Sequence, residues 1–158
     1  MGEIISIVYQ PEATDVTHGE FFRVPINTVT LLAGHGIDGD RKAGRNPKRH
    51  LNIMMRETLD DLAQCGFKTN AGAMGEQLQI QGIDIEALPS GTHLKLGDHA
   101  VVRLNKFRTG CVWLEHIQGQ VCTDTVGKLG LMASVIASGV ITVGDHVEIV
   151  HLPELEQA

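Results

Sequence analysis

Short strand-like runs closed off by glycine set the limits on what this chain can fold into. Apolar-alternating segments run from Ile4 to Tyr9, Thr28 to Leu32, His50 to Met54, Gln77 to Ile80, His93 to Leu96, Ala100 to Lys106, Leu131 to Ala137 and His146 to Val150, most of them bounded by Gly. Against these stand two short helical patterns. That balance predicts a mainly β fold, a closed or nearly closed β-barrel, because a doubly wound sheet would need a helix between successive strands. Closure also removes the exposed edges that an open sheet of short strands would present. No linker or low-complexity tract interrupts residues 1–158, so a single domain is expected.

The first helix is predicted over Glu57 to Cys65, with Leu59, Leu62 and Ala63 on one face, acids toward its positive N-terminal end and Gly66 ending it. A second begins near Cys111 and reaches Gly119. The segments His93 to Val102 and Ile141 to Val150 echo one another, each with Gly-Asp between alternating strands. Glycine supplies the positive φ of a tight turn and Asp can hydrogen-bond its own turn backbone, so the echo bears on architecture rather than chemistry.

The formal charge of -6 argues against nucleic-acid binding, which needs a cationic surface, and no apolar stretch approaches the length of a membrane-crossing helix. The first residues lack the basic and apolar regions of an export signal. Gly2 and Ser6 fit a loose acylation pattern but read better as part of the first strand. Three cysteines without a CxxC pair give neither a disulfide framework nor a zinc-finger pattern, which fits a reducing cytoplasm.

Chemistry is expected in two places. The first is the aperiodic segment from Gly34 to Lys48, which with Arg49 carries Arg41, Lys42, Arg45 and Lys48, five of the chain's 13 cations, in a stretch from Arg41 to His50 without any acid. Beside Gly34, Gly36 and Gly39 such a patch suits an anion such as a cofactor phosphate, although a solvated loop reads equally well. The second is Cys111, with Arg108 three residues before it and a helix starting at it. Both neighbours favour the thiolate, the form that serves as metal ligand, sulfur carrier or nucleophile. Cys65, at the carbonyl end of its helix, is expected to pack, and Cys122 receives no role. Glu76, after two close glycines, either orients Arg108 or Arg41 or caps the following backbone.

Assembled in order, these residues resemble the MOSC domain, named for the C-terminal domain of molybdenum-cofactor sulfurases, most strongly over 36–150. Gly36-Ile37-Asp38-Gly39-Asp40-Arg41 is similar to its Gly-x-x-Gly-Asp-Arg opening, His50 to Met54 to the strand after it, and Gly72-Ala73-Met74-Gly75-Glu76-Gln77 to its Gly-x-x-Gly-Glu-Asn turn. Arg108-Thr109-Gly110-Cys111 aligns with Arg-x-Pro-Cys, and Gly130 to Ile136 with a closing strand. Gly110 stands where the family has Pro, and Gln77 where it has Asn.

The resemblance implies a barrel like that of the pyruvate kinase β-barrel domain. It also implies a molybdenum cofactor held by Cys111 as metal ligand, with Cys111, Glu76 and Arg108 as catalytic candidates. Asp40, Arg41, Lys42, Arg45, His50, Asn52, Gly75 and Arg108 would contact the cofactor. Reduction of N-hydroxylated small molecules is the implied chemistry, with electrons from a separate reductase. Two other readings stay open: Cys111 as a persulfide carrier supplied by a cysteine desulfurase, and a non-catalytic binding barrel. Pyridoxal phosphate is not expected, since the desulfurase part of the larger sulfurases has no counterpart in this sequence.

Overall fold

The computed structural model describes residues 1–11, 23–41, 43–109, 112–119 and 127–153, the side chains of 112 and 113 excepted. Its strands are β1 (Gly2–Tyr9), β2 (Val24–Pro25), β3 (Thr28–Leu32), β4 (Gly36–Ile37), β5 (Leu51–Met55), β6 (Leu78–Gln81), β7 (His93–Leu96), β8 (Ala100–Phe107), β9 (Leu131–Ala137), β10 (Gly139–Thr142) and β11 (His146–His151). Among the described residues, two helices, α1 (Arg56–Gln64) and α2 (Val112–Gln118), and a 3-10 turn at Ile85–Ala87 complete the regular elements. Seven strands form a ring in the order β11, β7, β8, β9, β5, β6, β1, closed where β1 pairs with β11, and β2 adds to the outside of β1. The expected closed barrel is therefore observed. A separate three-stranded sheet, β10, β3 and β4, lies beside it.

All but one of the ring's contacts are antiparallel, as hairpin-connected short strands dictate; β5 and β6 run parallel because α1 carries the chain between them. Side chains alternate in and out. Ile4, Ile53, Leu78, Ile80, Leu94, Leu96, Val102 and Leu104 fill the interior with almost no exposure. A second, smaller core lies outside the barrel, where Met54 meets Leu59 and Leu62 of α1, Phe67, Met74, Leu114 of α2 and Leu129.

The Gly-Asp echo is a pair of turns that touch. Gly97 and Gly144 both have positive φ, at 69° and 100°. The Asp145 carboxylate accepts the Thr142 N–H at 2.8 Å, as a turn aspartate should, and sits where a side chain on Gly97 would have to go. Gly144 N–H donates to the Ile4 carbonyl and Gly97 N–H to that of His146, so the two turns hold the seam between β11, β7 and β1.

At the end of α1 the sequence expectation needs correcting. Cys65 is exposed, not packed, and Ala63 is exposed too. Gly66, at φ 92°, turns the chain so that its N–H reaches Ala63 and the Phe67 N–H reaches Leu62, the two bonds of a Schellman ending. Phe67 thereby folds back onto the small core and supplies the apolar cover that Cys65 was expected to give.

Candidate functional site

Strand register collects the candidate residues at one rim of the barrel. Ile7 stands opposite Leu78, Leu78 beside Ile53, Ile53 opposite Leu131 and Leu131 opposite Phe107, so these five mark one level around the ring. Immediately beyond that level lie Gln10, His50 to Asn52, Glu76 and Gln77, Arg108 and Gly130. Residues far apart in sequence meet there because the chain enters β5, β6 and β9 and leaves β1 and β8 on the same side.

Glu76 is fully buried and organises the turn before β6. One carboxylate oxygen accepts the Gly72 N–H at 2.7 Å and Gln79 Nε2 at 2.9 Å, and the other accepts the Met74 N–H at 3.2 Å. Burial pushes the carboxyl up from its ordinary range, while these hydrogen bonds pull it back. The turn so held presents the Met74 carbonyl to the Arg108 guanidinium, and the Arg108 N–H donates to Gly130. Glu76 thus ties up the backbone of the turn before it, not that of the following strand, and the same turn receives Arg108 at the Met74 carbonyl.

A third charged residue joins this group that the sequence did not single out. Arg23, just before β2, has Asp40 and Glu76 as its nearest acids and Arg49 as a neighbouring cation. Burial lowers its pKa and the two carboxylates oppose that, as expected of a guanidinium set between acids. Asp40 is itself 2% exposed, accepting the Gln10 N–H at 3.1 Å, so it faces the fold. Arg23 is therefore influenced both by the cation-rich loop, through Arg49, and by Glu76, whose turn receives Arg108 at the Met74 carbonyl. No periodic or motif signal accompanies Arg23, whose partners come from distant segments.

Within the loop, Arg41, Arg45, Lys48 and Arg49 are exposed, as a cationic patch requires. The glycine cradle needs correcting in part, since the Gly34 N–H donates to the Val135 carbonyl and Gly36 pairs with Leu32 in the β3–β4 ladder, so both are used by the fold. Gly75, at φ 81°, belongs to the turn that Glu76 holds. Lys42, Gly110, Cys111 and Cys122 lie outside the described residues.

Asn52 and Gln77 clamp each other: Asn52 N–H donates to the Gln77 side-chain oxygen at 2.7 Å, and Gln77 N–H to the Asn52 carbonyl at 3.0 Å. Gln77 thus seals the start of the β5–β6 pairing. Asn52 Nδ2 donates to the Leu129 carbonyl at 3.2 Å, and its buried Oδ1 has no hydrogen-bond partner among the described residues.

His50 is 5% exposed, with Nδ1 accepting the Val135 N–H at 2.9 Å. That bond requires the neutral ring with its proton on Nε2. Burial, and then His35, lower its pKa from the ordinary histidine value. An unfolded chain binds the proton first as pH falls, so His50 removes stability below about pH 6.5. His50→Asn keeps an acceptor without the titration, and its melting temperature should fall less between pH 7 and pH 5.5 than the wild type's. Parallel curves for the two proteins would refute this.

The fold is thus a closed seven-stranded barrel with an acid-knit glycine turn and a buried arginine at one rim. The chain belongs to the MOSC domain family, whose profile matches residues 40–148. Solved structures share the fold at low identity. YiiM from Geobacillus stearothermophilus superposes with a TM-score of 0.73 at 20% identity, covering 96% of this chain and 76% of its own. YiiM from Escherichia coli gives 0.69 at 23%, covering 94% and 70%, and YuaD from Bacillus subtilis 0.75 at 16%, covering 94% and 96%. No functionally curated protein matches the chain.

Proposed function

We propose that this protein holds the molybdenum cofactor at the rim through Cys111 and reduces N-hydroxylated small molecules with electrons from a separate reductase. The observation that supports this most is the buried Arg108 seated on the turn of Glu76, together with the exposed cations Arg41, Arg45, Lys48 and Arg49. It would give a thiolate and a phosphate a positive surface on the same rim. The residues fit the group. Its dithiolene brings two sulfurs, so one protein thiolate suffices, and the buried Asn52 Oδ1, without a hydrogen-bond partner among the described residues, can accept a hydrogen bond from a ligand N–H or from water.

When bound, the cofactor supplies Lewis-acid activation of an N-hydroxyl oxygen and two-electron reduction, converting the substrate with two protons to amine and water. The chain's own work is to hold and orient. Arg108, gripped at both its backbone and its guanidinium, sets fixed positive charge near Cys111 in sequence. The exposed arginines and lysine neutralise the phosphate. Glu76 keeps the turn beneath Arg108 in one shape.

The test is metal and pterin analysis of protein purified from a host that makes the cofactor. Molybdenum should be stoichiometric with protein and lost in Cys111→Ala, with melting temperature unchanged. Wild-type protein free of molybdenum would overturn the reading.

A further inference from the structure

Gln118 ends α2 almost fully buried, in the small core beside Met74 and Leu114. A methionine or leucine of similar size would fill that space. The amide instead makes directional contacts with one short stretch of backbone. Its Oε1 accepts the Lys68 N–H at 2.7 Å, and its Nε2 lies 2.9 Å from the Lys68 carbonyl, 3.0 Å from the Ala73 carbonyl and 3.0 Å from Met74 Sδ. Lys68 answers from the other side, its Nζ donating to the Ile117 carbonyl at 3.1 Å.

The same stretch holds Arg108, through the Met74 carbonyl. The Ala73 carbonyl thus receives Gln118 and the next one along receives Arg108, while Glu76 fixes the Met74 N–H between them. Residues 108 and 118 bracket the segment that contains Cys111, and both are tied to this one turn. Apolar packing would let α2 slide or rotate over the small core; hydrogen bonds to named carbonyls do not.

We infer that Gln118 is a positioning residue, which locks α2 to the turn that seats Arg108 and so keeps that guanidinium in place for holding the cofactor. The role of Arg108 toward the cofactor rests on the reading given above; the clamp itself does not.

Gln118→Met keeps the volume and removes the hydrogen bonds. Two measurements follow it. In protein loaded with cofactor, molybdenum and pterin should leave about tenfold faster than from the wild type, the scale of one lost hydrogen bond. In cofactor-free protein, amide hydrogen exchange should quicken in peptides spanning α2 and residues 68–76, with the barrel strands little changed. A merely structural role would quicken exchange throughout. Should Gln118→Met not fold, Gln118→Glu keeps the acceptor for the Lys68 N–H, loses the donors to Ala73, and should shift both readouts the same way. Release and local exchange equal to wild type in the variant that folds would overturn the inference, as would uniform loosening. A wild type that never binds molybdenum would sink the proposed function, and the exchange measurement would still decide the clamp.

Discussion

Glu76→Ala should lose about 3–5 kcal/mol of unfolding free energy in urea titrations, the cost of removing one member of a buried charge group. The carboxylate is fully buried, and its loss strands the Gly72 and Met74 N–H groups and the Gln79 amide in a site that water does not reach. Arg23 also loses one of its two nearby acids while staying in place. Each stranded donor costs about 1–3 kcal/mol when nothing replaces its partner, so the total lies at the upper end for a single substitution. Glu76→Gln offers a discriminating control. It keeps the size and one acceptor oxygen but sets an NH2 group against a donor, and it should lose about 1–3 kcal/mol. The two variants falling together below about 1 kcal/mol would mean that the turn does not depend on the carboxylate. Molybdenum content should fall with stability, because the Met74 carbonyl that receives Arg108 is set by the same hydrogen bonds.

What the sequence disclosed about this fold was local. Strand alternation and glycine punctuation located the strands of the ring because both signals repeat within a few residues, and Gly66 marked the end of α1 for the same reason. The Gly-Asp echo pointed correctly to paired turns, although only the structure shows Asp145 packed against Gly97. β4 was absorbed into an aperiodic loop, since two residues are too few to show a period. Cys65 was misjudged because helix position says nothing of which neighbour covers the last turn, and Phe67 does so.

The candidate site divides along the same line. Glu76 and Arg108 stood out from short motifs, and both occupy the rim. Arg23 and Gln118 carried no motif at all. Their importance comes from partners brought close by barrel closure and by the small core, and no spacing rule in one sequence encodes those encounters. Asp40 and Asn52, two residues grouped with the cofactor by resemblance, are almost fully buried, and each also hydrogen-bonds the protein's own backbone.

Gly130→Ala should be the other severe substitution, costing about 2–6 kcal/mol as the sum of a strained backbone and an overfilled site. Gly130 has φ 103°, a conformation that residues with a side chain rarely adopt. A Cβ there would stand 2.5 Å from Asn52 Oδ1 and 2.9 Å from both Asn52 Nδ2 and Met54 Cγ. Neither neighbour can move freely, because Asn52 is held through the Leu129 carbonyl and Gln77, and Met54 is packed in the small core. The Gly130 carbonyl also receives the Arg108 N–H, so relief by shifting the backbone would pull on the buried arginine. The midpoint of urea unfolding should therefore drop with its slope unchanged, and cofactor retention should suffer more than in a destabilised variant distant from the rim, such as Leu94→Ala in the barrel interior. Wild-type stability in Gly130→Ala would show that the rim yields at this point, and a yielding rim could not hold Arg108 in the fixed place that its hydrogen bonds describe.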